Sequence, residues 1–294
     1  MAKMGDDAEF DYYLCVVPQT HIFAVDDHAG TSPKVSELLF GEGFWGREEL
    51  FDDGTGSGWI IGFSAHDRYR GRIHQSAVHK QALTTSNRQH VSAVVTTKHT
   101  PLFTAPDLKS HVAKQLSLGS LIPTSWLAGP LHQQDKFLEI VLPQDARSLW
   151  LHRRHIEQSP IVETDIAASA MTLCGVPYIW GGRSDLGLDC SALVQFAFAK
   201  SGRMTPRDSD QQAETVGEQV ANITVPIDTV PDGLHCGDLV FFPGHVGIMV
   251  DDVNLVHANA THMAVTVNPL REVIKTIDAE HGARITSVRR LSTA

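Results

Sequence analysis

The sequence predicts an α+β domain at its C-terminal end, preceded by two small all-β domains folded as barrels. Three observations predict this. Short β-rich runs broken by turn residues fill the chain from Tyr12 to about Arg154, helical periodicity sets in after Ser159-Pro160, and strand-like runs return from Asp238 onward. A chain of 294 residues is also too long for one small core, and a prior of roughly 150 residues per domain gives two or three.

The first all-β domain is placed at residues 11–83. Its runs Leu39-Phe-Gly-Glu-Gly-Phe-Trp45, Gly54-Thr-Gly-Ser-Gly-Trp59-Ile-Ile-Gly-Phe63 and Tyr69-Arg-Gly-Arg-Ile73 have the strand length and turn spacing of a small barrel. A second domain of the same kind, residues 89–156, opens with Val91-Ser-Ala-Val-Val-Thr-Thr97 and closes with Phe137-Leu-Glu-Ile-Val-Leu142 and Leu149-Trp-Leu151. The third, residues 160–292, begins with a helical segment that places Ile166, Ala170, Leu173 and Cys174 on one face and stops near Gly175. The next helix starts close to Cys190, where Asp189 can cap it, and Leu193, Val194, Phe196 and Ala197 form its apolar stripe. Runs at Asp238–Phe242, His245–Val250 and Asn254–Ala258 then make an antiparallel sheet.

Composition narrows the function. Hydrophobic residues make up 42% and charged residues 20%, which suits a folded globular chain. The formal net charge of −10 argues against a phosphate-tracking surface and so against nucleic acid as partner. No run approaches the roughly 20 apolar residues of a membrane span, so no membrane partner is expected. The N-terminus shows acids where an export signal needs an apolar run, so a cytoplasmic location is expected. Four cysteines without a Cys-x-x-Cys pair are read as free thiols. The 16 histidines form no zinc-spaced pattern, and no cofactor or metal is expected.

The chemistry centres on Cys190. A thiol is mostly protonated at neutral pH, so a catalytic cysteine needs a base and gains from a helix N-terminus. Cys190 sits at such a start, whose free backbone N–H groups also suit an oxyanion. His245 follows Phe242-Pro-Gly and opens a strand that can hold its imidazole as the base. A hairpin turn at Asp251-Asp-Val253 sets the next strand beside it, and there His257 can orient His245. Cys174 and Cys236 lack this setting.

Five motifs stand in order: Tyr178-Ile-Trp-Gly-Gly182, Leu188-Asp-Cys-Ser191, Pro206-Arg-Asp-Ser-Asp-Gln-Gln212, Gly237-Asp-Leu-Val-Phe-Phe242, and His245-Val-Gly-Ile248 followed by His257-Ala258. Together, over about residues 161–290, they resemble the NlpC/p60 family of cell-wall cysteine peptidases. The resemblance implies a papain-like catalytic domain with Cys190 as nucleophile, His245 as base and His257 as orienting residue. It also implies that Tyr178 holds the site or the oxyanion, with core packing as its alternative and as the expected place of Trp180. Asp189, Ser191 and Ser209 match positions that bind a substrate amine in one subgroup, although Asp189 can equally be a helix cap. Arg207 binds a substrate carboxylate or forms an internal ion pair.

The segments Leu38-Leu-Phe-Gly-Glu-Gly-Phe44 and His66-Asp-Arg-Tyr-Arg-Gly71 look like the bacterial SH3-like barrels of that subgroup, in which a tyrosine closes one end of the cleft. Tyr69 is the residue this implies here, with packing as its alternative. The implied activity is hydrolysis of the γ-D-glutamyl–diamino acid bond in a murein peptide with a free N-terminal L-Ala, as in cell-wall recycling. An amidase or acyltransferase on the same scaffold, or a non-catalytic cell-wall-peptide binding protein, is the alternative. Oligomeric state is not readable from the sequence.

Overall fold

The computed structural model describes residues 10–25, 33–50, 54–82, 91–131, 135–158, 165–200, 202–220 and 226–291. The expected domain limits at 83, 89, 160 and 292 lie outside these described residues. The chain divides into two compact units, 1–160 and 161–294.

The described residues of the first unit are all-β apart from short 3-10 turns. Strands β1 (Asp11–Cys15), β2 (Gln19–Phe23), β3 (Lys34–Leu39), β4 (Gly43–Leu50), β5 (Gly56–Ser64), β6 (Arg70–His74) and β7 (Val78–Gln81) form one sheet in the order β3-β2-β6-β5-β4-β1-β7. The sheet curls. β1 and β3 are five places apart in it, yet the Cys15 thiol reaches Leu38 O at 3.9 Å, and Tyr13, Cys15, Ile22, Leu38, Phe44, Ile60 and Ile73 share one core. No edge-to-edge ladder closes a barrel among the described residues. Burial pushes the Cys15 thiol up to about 12, which makes it an inert packing group.

The second all-β segment comprises β8 (Val91–Val95), β9 (Thr100–Phe103), β10 (Val112–Leu116), β11 (Leu121–Pro123), β12 (Phe137–Val141), β13 (Ser148–His152) and β14 (Ile156–Gln158). These form two small sheets, β10-β9-β13-β12 and β11-β8-β14, again not closed into a barrel among the described residues. The two segments are not independent. Because side chains alternate along a strand, β1 sends Tyr13 and Cys15 into the first core and Tyr12 and Leu14 into the second, where Phe40 packs edge-on against Trp126. Two separate barrels were the expectation, and a shared core is what the pattern builds. Tyr69 lies in this unit, half-buried in the turn between β5 and β6, with its backbone N–H donated to Ser64 Oγ and Asp67 Oδ1.

The second unit is α+β. Helix α1 (Ile166–Met171) is capped by Asp165, whose carboxylate accepts from Ala168 N at 2.9 Å. The short hairpin β15 (Arg183–Ser184) and β16 (Gly187–Leu188) leads into α2 (Cys190–Lys200), followed by α3 (Ser209–Thr215) and β17 (Glu218–Gln219). Then come β18 (Leu239–Phe242), β19 (His245–Met249), β20 (Asn254–Asn259), β21 (Ala264–Pro269), α4 (Leu270–His281) and β22 (Ser287–Arg290). The sheet order is β17-β22-β18-β19-β20-β21, antiparallel throughout.

Helix α2 is buried over most of its surface and packs on α1, β19 and β20. Its core members are Leu193, Val194, Ala197 and Phe198, whereas Phe196, expected in the stripe, is half-buried under Lys200. The i, i+4 line from Cys190 through Val194 runs on to Phe198, which carries the nucleophile's face of the helix into the core. The other face of the sheet, with Val240, Phe242, Met249 and Leu255, packs against Leu270, Val273 and Ile274 of α4. None of the described helices is long and apolar enough to cross a membrane.

Candidate active site

Strand β18 turns into β19 through Pro243-Gly244, with Phe242 paired to His245. Proline fixes the first corner and Gly244, at φ +70°, supplies the left-handed second corner. The turn delivers His245 at the start of a rigid strand. Residues Ile248 and Met249 pair with Val256 and Leu255, so His257 falls opposite Gly247, diagonal to His245 on the same face. The two rings meet: His245 Nε2 and His257 Nδ1 are 2.8 Å apart.

The tautomers follow from a chain of contacts anchored in the backbone. The N–H of His262 donates to Asn259 Oδ1 at 2.8 Å, which makes the other end of that amide, Nδ2, the donor to Thr266 Oγ1, also at 2.8 Å. The Thr266 hydroxyl then donates to Asn268 Oδ1 at 2.6 Å, and His257 Nε2–H donates to the same oxygen at 3.2 Å. Nδ1 of neutral His257 is left as an acceptor, so His245 donates Nε2–H to it and keeps a lone pair on Nδ1. Asn259, Thr266 and Asn268 were not found from the sequence. Their signal was the β21 alternation, which puts Thr266 opposite His257 and Asn268 one step along the same face.

Cys190 is the first residue of α2 and only 6% exposed. Its sulphur lies 3.9 Å from Gly244 O, the residue before His245. Burial and the adjacent Asp189 charge push the thiol up to about 12, against backbone N–H donors from Val246 and Ser191 and the Arg207 charge, which favour the thiolate. Cys190 thus lies against the turn that carries His245, and the two side chains make no direct hydrogen bond among the described residues. The Tyr178 hydroxyl is held protonated, pushed up to about 12 by burial and by Cys190 and Asp189 beside it.

The loop before Cys190 is built by Gly181-Gly182. Gly181, at φ +74°, points its N–H at Asp189 Oδ2 (2.8 Å), and a Cβ on Gly182 would sit 2.4 Å from Gly187 O. Trp180, expected in the core, is 57% exposed, because this tight loop turns its side chain outward.

Asp189 is committed internally. Oδ1 accepts from Ala192 N (2.9 Å), Ser191 Oγ (3.2 Å) and Arg207 Nη1 (3.0 Å), while Oδ2 accepts from Arg207 Nη2 (2.6 Å) as well as Gly181 N. Arg207 is 2% exposed and also donates to Ser191 Oγ at 2.9 Å. The helix cap and the internal ion pair, the alternatives left open for these residues, are what is found. Ser209 opens α3 and is half-buried. Gln212, fully buried, donates to Ser191 O at 3.0 Å and Pro206 O at 2.8 Å and so ties α3 to the first turn of α2.

Burial holds both imidazoles neutral, pushed down from 6.5 to about 3 for His245 and about 4 for His257. In the unfolded chain both take a proton near pH 6.5, so below that pH the unfolded state binds protons the folded state refuses. Stability is therefore expected to fall as pH drops from about 6.5 toward about 4, and to be unaffected by these groups above 6.5. Urea midpoints measured across this range should decline less steeply in H245Q/H257Q than in the wild type. Parallel declines would show that the pair is not held neutral.

Residues 175–279 match the model of the NlpC/P60 family. The chain is similar to dipeptidyl-peptidase 6 of Lysinibacillus sphaericus, 29% identical over 81% of this chain and 84% of the relative. It is also similar to the γ-D-glutamyl-L-lysine dipeptidyl-peptidase of Bacillus subtilis, 31% identical over 40% of each chain. The namesake from Bacillus cereus is 26% identical over 60% of this chain and 53% of its own length, so the chain spans about half or less of these two relatives. A crystal structure of an NlpC/P60 family protein from Bacillus cereus shares the fold, with a TM-score of 0.73, 18% identity and coverage of 96% of this chain and 100% of that one.

Proposed function

We propose that the protein is a cysteine peptidase that hydrolyses the γ-D-glutamyl–diamino acid bond of short peptidoglycan stem peptides with a free N-terminus. The observation that carries this reading is a buried thiol at a helix N-terminus, 3.9 Å from the carbonyl of the residue before His245, together with a His245 imidazole whose Nδ1 lone pair is fixed by a hydrogen-bonded network. The matched family and the names of the relatives support it.

In this reading the Cys190 sulphur attacks the γ-carbonyl carbon of D-Glu and its proton passes to His245 Nδ1. Burial keeps both partners neutral before attack, so proton transfer accompanies bond formation, and contacts that are loose without substrate tighten when it binds. The oxyanion is stabilised by N–H groups at the start of α2 and by the protonated Tyr178 hydroxyl. His245 then gives the proton to the departing amine as the C–N bond breaks, which leaves a thioester on Cys190. Water, deprotonated by His245, attacks the thioester and releases L-Ala-γ-D-Glu. His257 holds the imidazole in its tautomer and shares the positive charge that develops on it. A free N-terminus exists only after the stem peptide has been cut from its glycan, so in this reading the reaction follows an amidase, as in wall recycling.

The test is direct. L-Ala-γ-D-Glu-L-Lys and its N-acetyl form are incubated with the protein and the products identified by mass spectrometry. Release of L-Ala-γ-D-Glu and lysine is expected, with N-acetylation lowering kcat/KM by about tenfold or more, as loss of one charged contact would. Equal rates would remove the free-amine requirement, and intact peptide would remove the peptidase reading.

A further inference from the structure

The polar chain behind the imidazole pair runs in one direction, and its far end is fixed by the backbone. Asn259 is 5% exposed. Its Oδ1 accepts the His262 N–H at 2.8 Å, and its Nδ2 faces two carbonyl oxygens, those of Ala264 at 3.3 Å and His257 at 3.4 Å. Turning this amide over would set a donor against an N–H and an oxygen against two carbonyls, so its orientation is locked. Nδ2 also donates to Thr266 Oγ1 at 2.8 Å, which sends the hydroxyl hydrogen on to Asn268 Oδ1 at 2.6 Å.

Asn268 has no such anchor. Among the described residues its side-chain amide is hydrogen-bonded by Thr266 and His257 and by no other group. Turned over, it would offer Nδ2–H to His257 Nε2 and so move the His257 proton to Nδ1. His245 Nε2 would then have to accept, and the proton of that ring would sit on Nδ1, the atom that takes the thiol proton in the peptidase reading. Thr266 opposes the turn, because its hydroxyl hydrogen, committed by Asn259, needs an oxygen to meet. The alternation of β21 brings both side chains to the face of His257, with Thr266 paired to it across the ladder.

We propose that Thr266 and Asn268 are positioning residues for the base: the Thr266 hydroxyl holds the Asn268 carbonyl oxygen toward His257, and so keeps His245 Nδ1 unprotonated and able to accept. The proposal rests on the peptidase reading above and extends its machinery beyond the imidazole pair.

The test compares the wild type with T266V, T266S, N268D and T266V/N268D. Ring-nitrogen NMR of labelled histidine reports the tautomers, with His245 and His257 assigned from H245Q and H257Q. Both rings are expected to carry Nε2–H in the wild type. In T266V a second population with Nδ1–H on both rings is expected. There kcat on L-Ala-γ-D-Glu-L-Lys should fall about three- to tenfold, the factor one neutral hydrogen bond provides, with KM within about twofold. T266S should recover the wild-type tautomers and rate. An ionised carboxylate has no hydrogen to offer His257, so adding T266V to N268D should change kcat by less than about twofold. A T266V protein whose His257 stays wholly Nε2–H, or whose kcat matches the wild type, would overturn the proposal, as would an undiminished loss on adding T266V to N268D. A wild type that shows these tautomers but cleaves no peptide would overturn the peptidase reading instead, and the catalytic role of the two residues with it.

Discussion

Cys190→Ala is expected to lower kcat by on the order of 10⁴-fold or more while shifting stability by about 1 kcal/mol or less. The loss is large because no other group can form the covalent bond. Of the other cysteines, Cys15 is sealed in the first unit's core, and Cys174 and Cys236 are exposed and begin no helix. Cys236 is moreover pushed toward the neutral thiol by burial and by Asp165, Asp251 and Asp238, so it is a poor nucleophile. Stability changes little because the substitution removes one sulphur atom from the end of a helix whose remaining core residues, Leu193, Val194, Ala197 and Phe198, are untouched. Kinetics and urea unfolding on the same preparation check both halves. A variant that is inactive because it has lost its fold would show in the second.

The second large effect is on stability. Arg207→Met is expected to cost about 3–5 kcal/mol, the range for removing one partner of a buried ion pair. The Asp189 carboxylate would be left with Gly181 N, Ala192 N and Ser191 Oγ as neutral donors and no countercharge. Asp189 also caps α2 and fixes the Gly181 loop, so the strain falls on the elements that carry Cys190. The unpaired negative charge would raise the neighbouring thiol further, since Arg207 is what now opposes Asp189 there. Asp189→Asn with Arg207→Met should recover much of the loss, because an amide can keep the cap without needing a countercharge. Denaturant unfolding of the two variants checks this. An R207M protein within about 1 kcal/mol of the wild type would show that the pair contributes little.

Much of this site was legible in the sequence because it depends on local geometry. A capped helix start at Asp189-Cys190 and a Pro-Gly turn before His245 are short-range features, and the hairpin turn at Asp251-Asp-Val253 placed the strand of His257 beside that of His245. What the sequence hid is set at longer range. That Asp189 faces Arg207, 18 residues away, depends on how the segment 202–208 folds back over α2. The polar chain from Asn259 through Thr266 to Asn268 becomes visible only with the β20–β21 register. Trp180 looked like a core residue by type, but two glycines after it tighten the loop and expose the ring. In the first unit, β-rich runs between turn residues identified the strands, while the sharing of one core by both all-β segments came from β1 being buried on both faces, which a reading of each segment by itself does not anticipate.

The central claim is that Cys190 forms the acyl-enzyme with the help of His245. The measurement that tests it most directly is labelling by the diazomethyl ketone of L-Ala-γ-D-Glu, followed by peptide mapping and residual activity. One equivalent of label on Cys190, lost in step with hydrolysis and strongly slowed in His245→Ala, is the result expected. Inactivation with the label on Cys174 or Cys236, or hydrolysis that survives complete labelling of Cys190, would contradict it.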